Sequence, residues 1–304
     1  MNRKLAAARC ATLALLLAPL TSCGVLGGAS DRVQEARILT VPDGTEIDID
    51  SAARELRRAD VIFLGELHDS LEGHRVMTEL TRAILADHPQ PVLSMEMFER
   101  DVQDVVTLYV DGYACKDYFL ANARPWDSPD SPYADHYGPV VDLARENGWD
   151  VVAANVPRRA ARAVARSEAP SSGGSIFASP VSDLSDGRYR REFDETMNAM
   201  MGGHGSGMTD FSLMYAAQVL KDETMAHAIA SLFRGEGERG GGGRWPRVVH
   251  WNGRFHSDWG LGTVERLRRR LPGLRIAVVT MERDGGLALA TSDDPPASYV
   301  IQVP

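Results

Sequence analysis

Two short segments of this sequence repeat one chemical pattern. Gly65-Glu66-Leu67-His68 follows the apolar run Val61 to Leu64, and Gly253-Arg254-Phe255-His256 follows the run Arg247 to Trp251. Each sets a glycine at a turn and a histidine three residues on. Glu96 closes a third run, Val92 to Met95, with Glu99 one turn later. Asn155 closes a fourth, Val151 to Ala154, with Arg158 and Arg159 behind it, and His250 and Asn252 sit close to the second glycine. A carboxylate beside an imidazole suits general acid–base work, so Glu66, His68, Glu96 and His256 are candidate catalytic residues. The same groups suit a divalent ion such as zinc, manganese or iron, with His68, His256 and Glu66 as ligands. A polar network that only holds loops in register would use them equally well.

A second chemistry lies further along. His204 stands in Met200-Met201-Gly202-Gly203-His204-Gly205, Tyr215 follows it, and Met197, Met208 and Met214 crowd the same stretch. Haem iron is held by histidine, methionine or tyrosine in an apolar pocket, which makes Tyr215 and His204 candidate cofactor-binding residues. Such methionines also fill cores or form adaptable surfaces. Gln218 and Asp222, four apart on one helix face, line the same cavity or face solvent. Gly240 to Gly243 lacks the Lys-Ser/Thr of a phosphate loop. No Gly-x-Ser-x-Gly elbow occurs.

The elements that must position these groups alternate. Strands are expected at Arg37 to Val41, Val61 to Gly65, Val92 to Glu96, Val151 to Ala154, Arg247 to Trp251 and Arg275 to Thr280, with two short ones at Leu287 to Ala290 and Tyr299 to Val303. Helices are expected at Ser51 to Arg58 with a serine cap, Leu71 to Asp87, Arg100 to Val110, Ala114 to Ala121, Val140 to Asn147, Pro157 to Arg166 and Thr263 to Arg270. Arg124 to Gly138 reads as an ordered loop, Glu168 to Ser182 as a flexible excursion and Gly235 to Arg244 as a mobile loop. Alternation of this kind predicts an α/β fold: a mainly parallel sheet flanked by helices on both faces. Two long helices at 188–233 interrupt it as a helical insertion subdomain. In such a sheet the functional crevice opens at the carboxyl ends of the strands, so both histidines and the strand-end glutamates share one rim. The glycines are expected to supply backbone conformations that a Cβ would resist.

The N-terminus carries an address. Arg3, Lys4 and Arg9 precede an apolar stretch from Ala11 to Leu20, too short for a bilayer span of roughly 20 residues, and Leu20-Thr21-Ser22-Cys23 resembles a lipobox. Residues 1–22 are then a lipoprotein signal peptide, Cys23 the lipidated first residue, 23–36 a tether and 37–304 the α/β domain. Gly24, where an aspartate would retain a lipoprotein at the inner membrane, points to the outer membrane where there is one, and otherwise to the outer face of the cytoplasmic membrane. Removing 22 of 304 residues leaves 282, and loss of three cations takes the formal charge from −9 to −12. So acidic a chain is a poor partner for nucleic acid. The run Arg266 to Arg270 reads as a solvated helix end near the negative dipole. With Cys10 removed and Cys23 modified, Cys115 is the one thiol left, which excludes an internal disulfide and a cysteine metal cluster.

Five segments carry a wider likeness: Phe63-Leu64-Gly65-Glu66-Leu67-His68-Asp69-Ser70, Met95 to Arg100, Ala154 to Arg159, Ala217 to Ala226 and Asn252 to His256. Together and in this order they resemble the ChaN-like family of iron-regulated haem-binding lipoproteins, within the Tiki/erythromycin-esterase-like group. The likeness runs from about residue 35 to 280. It implies an α/β core with a helical subdomain, haem binding linked to iron uptake, and iron held by a tyrosine within a homodimer that stacks two haems. Tyr215 and His204 are the positions that could match. Relatives in the wider group use the Gly-x-x-His histidines and strand-end glutamates for hydrolysis, some with metal. The resemblance therefore implies a lipid-anchored haem carrier of the cell envelope and, alternatively, a metal-dependent hydrolase. Cys23→Ser should move the protein from the membrane fraction to the soluble fraction and abolish the lipid mass on the N-terminal peptide; persistence of both would refute the lipobox.

Overall fold

The computed structural model describes residues 36–168, 172–181, 183–185, 187–200, 210–233 and 245–304. The signal segment, Cys23, the tether up to residue 35, His204 and the loop Gly235 to Arg244 lie outside them. Among the described residues one sheet holds eight strands: β1 (Arg37–Thr40), β2 (Glu46–Ile47), β3 (Val61–Glu66), β4 (Pro91–Glu99), β5 (Asp150–Asn155), β6 (Arg247–Gly253), β7 (Ile276–Arg283) and β8 (Tyr299–Val303), in the order β2-β1-β8-β7-β3-β6-β4-β5. All pairs from β8 to β5 are parallel, and β1 runs antiparallel to both β2 and β8. The helices are α1 (Ile49–Leu56), α2 (Leu71–Leu85), α3 (Gln103–Val110), α4 (Lys116–Ala123), α5 (Tyr133–His136), α6 (Gly138–Asn147), α7 (Arg158–Ala165), α8 (Arg188–Met200), α9 (Ser212–Ser231), α10 (Gly262–Arg270) and α11 (Gly286–Ala290). None of them is long and apolar enough to cross a membrane.

Strand alternation builds two cores. Ile62, Leu64, Leu93, Met95, Val249 and Trp251 face α2 to α6 on one side. Val61, Phe63, Val92 and Val248 face Ala226, Ile229 and Ala230 of α9 and Val264 and Leu267 of α10 on the other. The central strands are buried on both faces, which is why they read as continuous apolar runs. The helical segment 188–233 has two roles. The C-terminal half of α9 is a layer helix of the core, whereas its N-terminal half packs with α8 through Tyr189, Phe193, Phe211, Tyr215 and Val219.

Several expectations are corrected. Leu287 to Ala290 is the helix α11, not a strand: leucine and alanine are strong helix formers without β-branching, and their alternation only imitates a strand's period. Helix α1 is capped by Asp48, whose carboxylate accepts from Ser51 N at 2.7 Å, rather than by a serine. The stretch from Arg124 to Gly138 contains α5 and a bridge between Ser128 and Ser131. In the supposed flexible excursion, Ser179 N donates to Thr224 Oγ1 at 3.0 Å. Arg266 is not solvated: it is 2% exposed, paired with Glu223 at 3.4 Å and set over the Tyr189 ring.

The two frame glycines have a different purpose from the one expected. Neither has a positive φ. A Cβ at Gly65 would lie 2.9 Å from Arg254 Cα and 2.9 Å from Ser257 Oγ, so the first frame packs directly onto the second. Gly65→Ala must push backbone apart, a cost of about 1–3 kcal/mol; an unchanged urea midpoint would show that the loops are not in contact.

Candidate functional site

The parallel register sets the ends of β3 and β6 side by side, with Gly65 opposite Asn252 and Glu66 opposite Gly253. Strand β4 reaches the same rim through an irregularity: its pairing with β5 jumps between Met95 and Glu99. Bulges of this kind re-aim side chains, and here Glu96 turns into the cleft. All four candidate catalytic residues, Glu66, His68, Glu96 and His256, line a single cleft of about 440 Å³. That volume is within the range of small-molecule sites.

His256 is 5% exposed. It is clamped between two carboxylates, with Nδ1 2.7 Å from Asp222 Oδ1 and Nε2 3.2 Å from Glu96 Oε1. Burial alone pushes the imidazole down, but Glu96 and Asp222 overcome it and raise its pKa to about 9. Glu96 is in turn held well below the usual carboxylate range: burial opposes this, and His256, Lys221 and His68 outweigh burial. Its Oε2 accepts from Gly253 N at 2.8 Å. Asp222 also accepts from Tyr189 OH at 2.6 Å and Thr263 Oγ1 at 2.8 Å.

Glu66 anchors the second couple. Its Oε1 is in close ion-pair contact with His68 Nδ1, and its Oε2 lies 2.8 Å from His74 Nε2. Burial raises the carboxyl, and the two imidazoles outweigh it and keep it lowered. His74 Nδ1 meets His136 Nδ1 at 2.7 Å, deep behind the rim; burial and then the neighbouring His74 lower the pKa of His136. The His68 side chain is 41% exposed. It stacks on Trp126 with ring centroids 4.7 Å apart. Burial lowers its pKa, while the hydrogen bond and charge of Glu66, then the charge of Glu96, raise it to a net upward shift. Apolar groups from the helical segment and the second frame, Phe193, Met197 and Phe255, complete the wall.

The expected metal set is not assembled. Both oxygens of Glu66 face imidazoles and both ring nitrogens of His256 face carboxylates, so neither side chain has a ligating atom free. Among the described residues no group of three or more His, Cys, Asp or Glu is arranged to hold a metal ion. His250 is not at the rim: it is fully buried inside the sheet layer, its Nδ1 2.8 Å from Ser94 Oγ, and burial lowers its pKa to about 3. Asn252 donates to Gly253 O at 2.9 Å and to Ser257 Oγ at 3.0 Å, and so shapes the turn. Tyr215 is 3% exposed and does not line the cleft; it lies one ring behind it, 5.4 Å from Phe193, under Arg190, with burial raising its phenol.

Sequence reasoning missed His74, His136, Trp126 and Lys221. A signal for His74 was present. It shares a helix face with Met77, Leu80 and Ile84, all buried, and a histidine on such a face must find a partner.

A largely parallel sheet covered on both faces, with a charged acid–imidazole rim under an aromatic cleft, defines an α/β protein built to take a ligand at its strand ends. The chain belongs to the family described as "Haem-binding uptake, Tiki superfamily, ChaN", whose model matches residues 52–267. Among solved structures, that of cofacial haem binding to ChaN of Campylobacter jejuni matches with a TM-score of 0.66 at 17% identity, covering 88% of this chain and 96% of that one. A Bacillus cereus protein matches at a TM-score of 0.47 and 10% identity (82% and 72% covered). A mutant of the erythromycin esterase EreC in its open conformation matches at 0.45 and 10% (87% and 82% covered). The likeness to the Campylobacter protein is one of fold. No curated protein matches the chain.

The His256 clamp gives a direct test. Its folded pKa of about 9 exceeds the unperturbed 6.5, so roughly 3 kcal/mol of stability is present below pH 6.5 and lost as pH rises through 9. Histidine-resolved NMR should place the His256 transition near 9, and Asp222→Asn should bring it down. Titration of wild-type His256 near 6.5 would remove the clamp.

Proposed function

We propose that this protein is a haem-binding lipoprotein of the cell envelope, serving haem or iron uptake, with haem seated in the cleft at the strand ends. The carrying observation is His68: its Nδ1 is engaged by Glu66, and its Nε2 has no protein hydrogen bond among the described residues. Iron-binding imidazoles characteristically rest their other nitrogen on a carboxylate in this way. Phe193, Met197, Phe255 and Trp126 offer apolar surface and Lys221 offers a cation at the edge, so the residues fit a planar apolar macrocycle that carries carboxylates. Bound haem supplies an iron centre; the chain's own part is to bind it, orient it and keep water from one face.

His68 is the side chain best placed for iron. Tyr215 and His204 on the helical segment are the second pair of candidates; Tyr215 reaches the cleft only if Phe193 turns aside. The cofacial binding of the Campylobacter protein supports a homodimer as the loaded form. A lipid on Cys23, with a tether of 23–36, would attach the domain to the membrane, which suits handing on a hydrophobic cofactor.

A second reading is a hydrolase, with Glu66 or Glu96 as base on water and His68 and His256 stabilising charge; it draws on the convergence of all four groups on one rim. The ionisation weighs against it. Carboxylates held this far down are weak bases, and the clamped imidazolium has no free lone pair.

Hemin added to the soluble form starting at Gly24 should give a saturable Soret change and an increase in mass to a dimer. His68→Ala should weaken binding at least tenfold; Tyr215→Phe and His204→Ala measured beside it assign the ligand. The absence of a saturable change in the wild type would remove the haem reading, and turnover of ester or amide substrates lost in Glu66→Gln would install the hydrolase.

A further inference from the structure

The main cleft does not end at Trp126. It continues into a side cavity of about 210 Å³ between the ends of β4 and β5 and the helices α7 and α9, and the two share Glu96, Trp126 and Lys221 as walls. Its charges do not cancel. Glu96 is taken by His256 at 3.2 Å and by Gly253 N at 2.8 Å. Glu99 is taken by Arg124 at 3.1 Å and by Arg158 at 3.3 Å, and the Arg158 guanidinium also sits 5.7 Å over the Trp126 ring. Two further cations stand on the cavity wall, Lys221 and Arg162, and with Arg158 they make three cations against the two carboxylates Glu96 and Glu99. Neither Lys221 nor Arg162 has a carboxylate within ion-pair distance among the described residues. In a chain with a formal charge of −9, a cavity with surplus positive charge opening off an aromatic cleft is selective for one kind of ligand.

We propose that this side cavity is an anion subsite, in which Lys221 and Arg162 receive the carboxylate groups of a ligand whose flat apolar body lies in the main cleft against Trp126 and Phe255. For haem, an identification that rests on the reading above, Lys221 and Arg162 would receive the propionates. The ligand class is wider: an amphipathic aromatic carboxylate. Lys221 stands on the shared wall, and its charge already acts on Glu96. A bound carboxylate there would replace water around a half-buried ammonium, which makes a charge-assisted hydrogen bond stronger than at an open surface.

The test compares acids with their esters. Hemin and hemin dimethyl ester, pyrenebutyrate and its methyl ester are each titrated into wild type, the double variant Lys221→Ala with Arg162→Ala, and Arg166→Ala as a control cation just beyond α7 and outside the cavity. Far-ultraviolet circular dichroism reports folding. The double variant should bind each acid about tenfold more weakly, equivalent to ~1.4 kcal/mol, bind each ester within twofold of wild type, and lose the salt dependence of acid binding. Equal weakening of acid and ester would assign the two cations to cleft shape and overturn the subsite, as would an unchanged affinity for the acids. If wild type takes neither haem compound but discriminates pyrenebutyrate from its ester through these two residues, the haem reading falls and the subsite stands; binding of none of the four probes removes both.

Discussion

A buried imidazolium clamped between two carboxylates is the interaction on which the rim depends. Charges this deep are costly to desolvate, and only close pairing offsets the cost. Glu96, His256 and Asp222 supply that pairing from three different elements: the irregular end of β4, the turn after β6 and the middle of α9. Asp222 extends it to α8 and α10 through Tyr189 and Thr263. Removing one member leaves the others as uncompensated buried charges, so the loops at the mouth cannot shift independently. The glycine frames tighten the same joint, since Gly65 packs on Arg254 and Gly253 lies beside His68 and Glu96.

The clamp also settles the chemical character of the cleft floor. Its ring nitrogens and carboxylate oxygens are paired with one another, so the acid–imidazole groups that look reactive in isolation are largely occupied. The side chains left facing a ligand are the aromatic wall, one half-exposed imidazole and the cations at the edge. Such a surface favours holding a flat amphipathic molecule over activating water. Membership of the family described as haem-binding agrees with that character.

The parallel core was legible because its evidence is local. Each central strand is a short apolar run ending on a polar residue, and burial on both faces writes that run into the chain. The failures were also local in origin: Leu287 to Ala290 carries an alternation that a helix former can satisfy in either state, and Glu46 and Ile47 are too few to show a period. Arg266 was misjudged because a charged run looks solvated until a buried acid, Glu223, is brought to it from 43 positions away in the chain.

The sequence by itself determined the class of the protein: an alternating α/β chain with Glu66, His68, Glu96 and His256 at strand ends that must share one rim. Strand direction alone guarantees that convergence, because parallel strands deliver their carboxyl ends to the same edge. Only the tertiary structure decided what those residues became. Asp222 as the partner of His256, His74 and His136 behind Glu66, Trp126 under His68, and Tyr215 behind Phe193 all follow from how helices, loops and strand ends pack together. Those pairings set which nitrogen is free and which charge is spent, and packing between distant segments leaves no period or motif in the sequence from which to read them.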